Sequence, residues 1–595
     1  MKIADKLTIK YVKEAYENGD FTPLDLCLEI VRRSAETRAW NIWIVEPSMD
    51  RLQKHMDRIM DMDRSTAPLW GVPFSIKDNI DLEGLETTAG CESYAYMPEE
   101  SATVVRLLLA AGAIPLGKTN LDQFATGLVG TRSLYGETHN SLKPELISGG
   151  SSSGSAVSVA LGLAAFSLGT DTAGSGRVPA ALNNLVGFKP TIGAWSSKGV
   201  VPACRSLDCV TVFTHTTEDA MLVDSIARAY DESCPQSRKV KKAVLTIPGK
   251  VLLPQEEPEF FGEFKLQYRA CWDRVLEKVQ KLDLAVEYIP NKILYEAAAI
   301  LYDGPWIAER WAALGGFIEE NQGKGMVPVT ERILRNGSRT DLKADEVFKA
   351  MHRLSELQCE IRKYLEDAVL LLPTAGGTFT IEEVNANPVE TNSKMGLYTN
   401  HCNLLDLCAL GFQAGFAGEG LPFGVTAFAP AGEDGRNMGF ARLYQSLTNE
   451  NNENKACKNT YKNTCNNKKT VPIAVCGQHM RGMLLEGQLL ELGAEFDREA
   501  ATAAEYKLYK LDTVPAKPGL MHVNQGGKSI ELEIWNIPVE RLGEFLMKIS
   551  SPLGLGRVRL ESGEEVIGFL CEEYAAKGQT DISELGSFRK FTQNS

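Results

Sequence analysis

Three side chains, Lys77, Ser151 and Ser175, have the types and spacing to do chemistry together. The serines lie 24 residues apart in one Gly/Ser-rich stretch, GGSSSGSAVSVALGLAAFSLGTDTAGSGRVPAA, from Gly149 to Ala181. Each sits in a glycine-flanked turn, and an apolar segment of small residues joins the two. Lys77 lies upstream among apolar neighbours in PFSIKDNID. A serine hydroxyl becomes a good nucleophile only when a base takes its proton. Lysine is such a base when burial disfavours the ammonium, and a second serine can relay the proton. The small residues of DTAGSG let successive backbone N–H groups converge on an oxyanion. This combination points to nucleophilic hydrolysis of an amide bond, with no histidine required.

Other glycine-rich devices fit less well. Phosphate loops end in Gly-Lys-Ser or Gly-Lys-Thr, and dinucleotide loops pair a strand-placed GxGxxG with a later acid; neither pattern occurs here. The Val157–Leu168 run is too apolar for a flexible linker. Of the seven histidines, His139 and His215 lie nearest the stretch in sequence and read as polar structural residues.

The elements that must position these residues follow from periodicity and punctuation. Thr22 is a good N-cap and Pro23 a good first residue for the helix LDLCLEIVRRS. From about residue 70, short apolar strands alternate with helices, which indicates a mixed sheet flanked by helices. Ser101 is expected to cap a helix through TVVRLLLAAG, followed by the strand AIPLG. LSELQCEIRKYLEDAVLLLPT repeats this helix-to-strand design. Residues 446–470, rich in Asn and Lys, bury too little surface to offset their ordering entropy and read as a linker or disordered insertion. A separate α+β unit follows over 471–595, with strands at YKLYKL, SIELEIWNIP and RVRLESGEEVIGFLCEEY.

The 595 residues suffice for two domains, the first an α/β enzyme domain over 1–445. A net charge of −14 argues against nucleic acid as a main partner. No apolar run reaches a membrane-span length, and MKIADKLTIK lacks the apolar core of a signal peptide. Thirteen cysteines form no close CxxC pair and no metal-ligand cluster, as expected of reduced residues in a cytoplasmic protein.

These motifs resemble the amidase signature family of serine hydrolases. KTNLDQFATG at 118–127 and LPFGV at 421–425 extend the likeness over about residues 1–445. The resemblance implies Lys77 as base, Ser151 as bridging serine after a cis peptide bond, and Ser175 as nucleophile. The backbone N–H groups of Thr172, Ala173, Gly174 and Ser175 would bind the oxyanion. Asp171 and Arg177 read as a pair that braces the loop.

Within the family, Gly176 after the nucleophile and the C-terminal runs AVCGQHMRGM, KPGLMHV and SPLGLGRVRL are similar to the allophanate hydrolases. That likeness implies a second domain with a γ-glutamyl cyclotransferase-like α+β fold. It implies ammonia release from allophanate by the first domain and metal-free decarboxylation of N-carboxycarbamate by the second. A planar anion needs a cation to hold its carboxylate. ILYDGPWIAERW supplies Arg310 for this, with Tyr302 before it, and Gly127 offers backbone to the substrate. His479 is the candidate for decarboxylation, and His522, within a strand-like run, is a weaker one. No cofactor or metal is expected. A urea carboxylase, fused or separate, is the expected partner, and a homodimer is an open expectation. A different small-amide amidase and the catalytic subunit of a tRNA-dependent amidotransferase remain alternatives.

Overall fold

The computed structural model describes residues 3–302, 304–338, 343–456, 470–513, 516–547, 549 and 551–593. The chain divides into two compact units, Met1–Asn451 and Asn452–Ser595.

In the first unit, eleven strands form one mixed sheet: β1 (Trp43–Val45), β2 (Pro73–Lys77), β3 (Ile114–Thr119), β4 (Phe166–Thr170), β5 (Val186–Lys189), β6 (Val210–Thr214), β7 (Lys250–Pro254), β8 (Ala285–Ile289), β9 (Ala368–Pro373), β10 (Leu407–Gly418) and β11 (Leu421–Pro430). Their order is β1-β3-β2-β4-β6-β5-β10-β11-β9-β7-β8. β2 runs parallel to both β3 and β4, while β4–β6, β5–β6, β5–β10 and β10–β11 are antiparallel. Every residue of β2, β3 and β4 is buried, as expected of parallel strands covered on both faces. Lys77 and Thr170 therefore end adjacent parallel strands, at the carboxyl edge where open α/β sheets hold ligands.

The helix Ser153–Ala160 packs on β2, β3 and β4. Its small residues allow close approach, and Ser158 meets Ser75 of β2 at 2.8 Å. Thr22 caps the helix Pro23–Glu36 in a reciprocal capping box with Asp25. The helix Ala344–Tyr364 leads into β9 as its sequence predicts.

Two expectations change. Ser101 does not cap the helix Thr103–Ala110; its hydroxyl instead accepts the Glu83 N–H at 2.9 Å, because the helix begins one residue later, after Ala102. The Asn/Lys-rich segment expected as a linker begins as helix, since Asp434–Ala456 is one element. Met438, Phe440, Ala441 and Tyr444 anchor its start in the core, and adding turns to an existing helix is far cheaper than nucleating one. The rest of that segment, 457–469, lies outside the described residues.

The second unit holds β12 (Thr470–Val475), β13 (Glu495–Ala501), β14 (Tyr506–Leu511), β15 (Lys517–His522), β16 (Glu531–Pro538), β17 (Leu553–Arg559), β18 (Glu565–Cys571) and β19 (Thr580–Asp581). They form a five-stranded sheet, β13-β16-β12-β18-β17, and a three-stranded one, β15-β14-β19. Short helices at Glu486–Glu491 and Leu542–Met547 complete an α+β unit. Among the described residues of the chain, no helix is long and apolar enough to cross a membrane.

Candidate active site

Lys77 is fully buried, and its Nζ lies 2.7 Å from the Ser151 hydroxyl and 2.7 Å from that of Thr170. Burial lowers its pKa to about 7, against the opposing pull of Asp122, Asp208 and Asp171. Near neutral pH a large share of the amine is thus free of its proton. Ser151 follows a cis peptide bond from Gly150 and precedes the helix Ser153–Ala160. Its carbonyl accepts the Asp122 N–H at 3.0 Å, and the Asp122 carboxylate in turn takes the N–H groups of Val129, Gly130 and Arg132.

Ser175 lies in the turn between β4 and the helix Val178–Leu182. Asp171 and Arg177 are both fully buried and form a two-pronged pair at 2.8 and 2.9 Å. Burial alone would raise the Asp171 carboxyl, but the guanidinium holds it below its ordinary value. Its oxygens also accept the N–H groups of Gly174, at 2.7 Å, and Gly176, at 3.1 Å. The Gly174 N–H, expected with the oxyanion donors, is thus committed to Asp171. Among the described residues, no hydrogen bond takes the N–H of Thr172, Ala173 or Ser175. Gly174 has φ +135°, and a Cβ there would lie 2.2 Å from Thr399 Oγ1, so only glycine fits this turn.

Sequence reasoning missed Asp208. Its carboxylate accepts the Thr172 hydroxyl at 2.5 Å and the N–H groups of Ala203 and Cys204. Burial pushes this carboxyl up to about 6. Only the short run SLD marked it in the sequence, and nothing there linked it to residue 172. Thr170 was missed likewise, since its role depends on the pairing of β2 with β4.

Arg310 is buried, in the helix Ile307–Glu320. Its Nη1 donates to Thr126 Oγ1 at 3.3 Å, which brings it to the turn that carries Gly127. A Cβ at Gly127 would lie 2.5 Å from Asp122 Oδ2, so the glycine also has a packing reason. Glu309, the acid a surface ion pair would use, gives its carboxylate to the Ser206 N–H and hydroxyl, at 2.7 and 2.6 Å, and to the Cys204 thiol. Tyr302 ends the helix Asn291–Tyr302, and its side chain lies outside the described residues. His215 donates from Nε2 to the Val159 carbonyl, and His139 from Nδ1 to that of Pro144.

In the second unit, His479 lines a cavity of about 260 Å³ with Cys476, Gln488, Lys517 and Phe569. Its ring stacks on Phe569 at 5.3 Å, and its Nε2 lies 3.1 Å from Gln488 Oε1. His522 is about half exposed, on β15, beside Glu505.

A family model described as Amidase matches residues 29–437. The chain belongs to the amidase family. A second model, the allophanate hydrolase C-terminal domain, matches residues 471–593. The amidase domain and this C-terminal domain together are similar to the urea amidolyase of Saccharomyces cerevisiae, 38% identical over 576 residues, or 93% of this chain and 31% of that protein. The chain therefore spans about a third of that relative's length. The solved Kluyveromyces lactis allophanate hydrolase superposes with a TM-score of 0.72 at 36% identity, covering 99% of each chain. The urea amidolyase of the same yeast gives 0.71 at 36% identity, covering 99% of this chain and 36% of that one.

Proposed function

We propose that this amidase hydrolyses allophanate to ammonia and carbon dioxide, in the degradation of urea. The observation that carries this reading is the co-extension of both domains with a solved allophanate hydrolase. The site chemistry supports it. Neutral Lys77 draws a proton through Ser151 from Ser175, whose oxygen attacks the terminal amide carbonyl. The N–H groups of Thr172, Ala173 and Ser175 hold the oxyanion, the proton on Lys77 returns through Ser151 to the leaving nitrogen so that ammonia departs, and water, deprotonated by the same relay, cleaves the acyl-enzyme and restores the Ser175 hydroxyl. No hydrogen bond joins the Ser175 and Ser151 hydroxyls among the described residues, and catalytic contacts of this kind commonly close only around substrate. Arg310 and Tyr302 anchor the substrate carboxylate, and the Gly127 backbone borders it. The mechanism uses no metal or cofactor.

The C-terminal domain takes N-carboxycarbamate into the His479 cavity, where Lys517 supplies positive charge, and carbon dioxide leaves. A urea carboxylase, on the same or a separate chain, supplies allophanate in the cytoplasm. An ammonia-release assay with allophanate against a panel of small amides, malonamide and indoleacetamide among them, tests the substrate. Turnover of another amide with allophanate untouched would refute it.

A further inference from the structure

The nucleophile loop is held by its carbonyl oxygens from a segment more than two hundred residues away. Asn403, buried in the short helix His401–Leu404, donates from Nδ2 to the Asp171 carbonyl at 2.7 Å and to the Leu207 carbonyl at 2.7 Å. Thr399, fully buried, donates its hydroxyl to the Ala173 carbonyl at 2.8 Å. The Gly174 carbonyl accepts the N–H groups of Arg177 and Val178 at 2.9 and 2.8 Å.

A trans peptide is planar, so its C=O and the following N–H point in opposite directions. Fixing a carbonyl therefore aims the next residue's N–H. The Asn403 bond to Asp171 aims the Thr172 N–H away from Asn403. The two helical N–H groups on Gly174 aim the Ser175 N–H away from the helix. The Ala173–Gly174 peptide is fixed at both ends, by Thr399 on its carbonyl and by Asp171 on its N–H. Through Leu207, Asn403 also grips the residue next to Asp208, which holds the Thr172 hydroxyl. Thr172 is thus oriented through its backbone and its side chain by one brace.

We infer that Asn403 is a positioning residue that preorganises the Thr172 N–H as an oxyanion donor of the nucleophile loop, with Thr399 steadying the adjoining Ala173–Gly174 peptide. This inference rests on the amidase reading of Ser175. Donors aimed at an oxyanion act on the transition state and little on the ground state, so their loss falls on kcat.

The test is steady-state ammonia release by Asn403→Ala and Thr399→Val, with Thr399→Ser as the conservative partner, and thermal melts alongside. The rate of Ser175 labelling by an alkyl fluorophosphonate gives a readout independent of the natural substrate. Asn403→Ala should lower kcat roughly ten- to a hundredfold. KM should stay within about threefold, the acid-limb pKa should not move, and labelling should slow in step. Thr399→Val should lose less, because Asp171 still holds that peptide, and Thr399→Ser should keep near wild-type kcat. Unchanged kcat in Asn403→Ala, or a rise in KM with kcat intact, overturns the inference while leaving the amidase reading standing. If Asn403→Ala fails to fold, Asn403→Leu, close in shape but unable to donate, takes its place, and wild-type kcat in that variant overturns the inference. A wild-type chain neither labelled nor active would sink both.

Discussion

At the scale of single residues, the candidate centre turns on a buried amine whose pKa burial lowers to about 7. With Lys77 at about 7 because of burial, kcat/KM for ammonia release should rise with pH through an acid limb near 7. A limb an entire unit or more higher, in a pH–rate profile, would contradict a neutral lysine base. The same shift links to stability. An unfolded lysine keeps its ordinary pKa, so between about 7 and the ordinary value the unfolded chain binds a proton that the folded chain lacks. Stability therefore grows with pH across that window. Lys77→Met should abolish that slope in melts run across the pH range, and lower kcat by roughly 10²–10⁴. Ser175→Ala should end ammonia release, and retained allophanate hydrolysis by that variant would sink the assignment. Arg310→Ala should raise KM for allophanate about ten- to a hundredfold, the worth of a charge-assisted hydrogen bond, while sparing uncharged amides. Lys77, Ser151 and Ser175 could be singled out in the sequence as candidates because each sits in a run whose residue types the proposed chemistry demands. Asp208 and Asn403 were not, because a buried aspartate or asparagine has no local pattern that tells its partner.

At the scale of elements, the turn that carries the proposed nucleophile Ser175 lies between β4 and the helix Val178–Leu182 and is clamped by Asp171 and Arg177. Breaking a buried pair strands an uncompensated charge, at a cost of about 3–5 kcal/mol. Arg177→Met should therefore lower the melting temperature by several degrees and abolish activity, read by calorimetry and ammonia release together. An unchanged melt would mean that the pair does not brace the loop. Helix and strand positions were well anticipated where periodicity was strong, as in Pro23–Glu36 and Ala368–Pro373. Ser101 was misassigned for a physical reason: a hydroxyl competes among several backbone N–H groups, and Glu83, brought near only by the tertiary fold, won.

At the scale of the whole molecule, two compact units carry separate candidate sites, a lysine–serine–serine centre and a histidine-lined cavity. His479→Ala in the full chain should leave the initial rate of ammonia release from allophanate intact and slow carbon dioxide release. Parallel assays of the two products decide it, and equal loss of both would assign His479 a structural role. The change of composition after residue 445 pointed to a second unit, although the helix Asp434–Ala456 runs past that point, carried by its packed first turns.

The sequence by itself determined the reaction class, because a nucleophile, a base and a turn of small residues must each be written in local residue types. A shift in composition also pointed to a second unit. Tertiary structure alone decided which N–H groups remain open to an oxyanion, how Arg310 reaches the Gly127 turn, and how far burial lowers the Lys77 amine. Those properties depend on carbonyls, carboxylates and apolar walls contributed by strands and helices far apart in the chain, and only their assembly sets distance and desolvation.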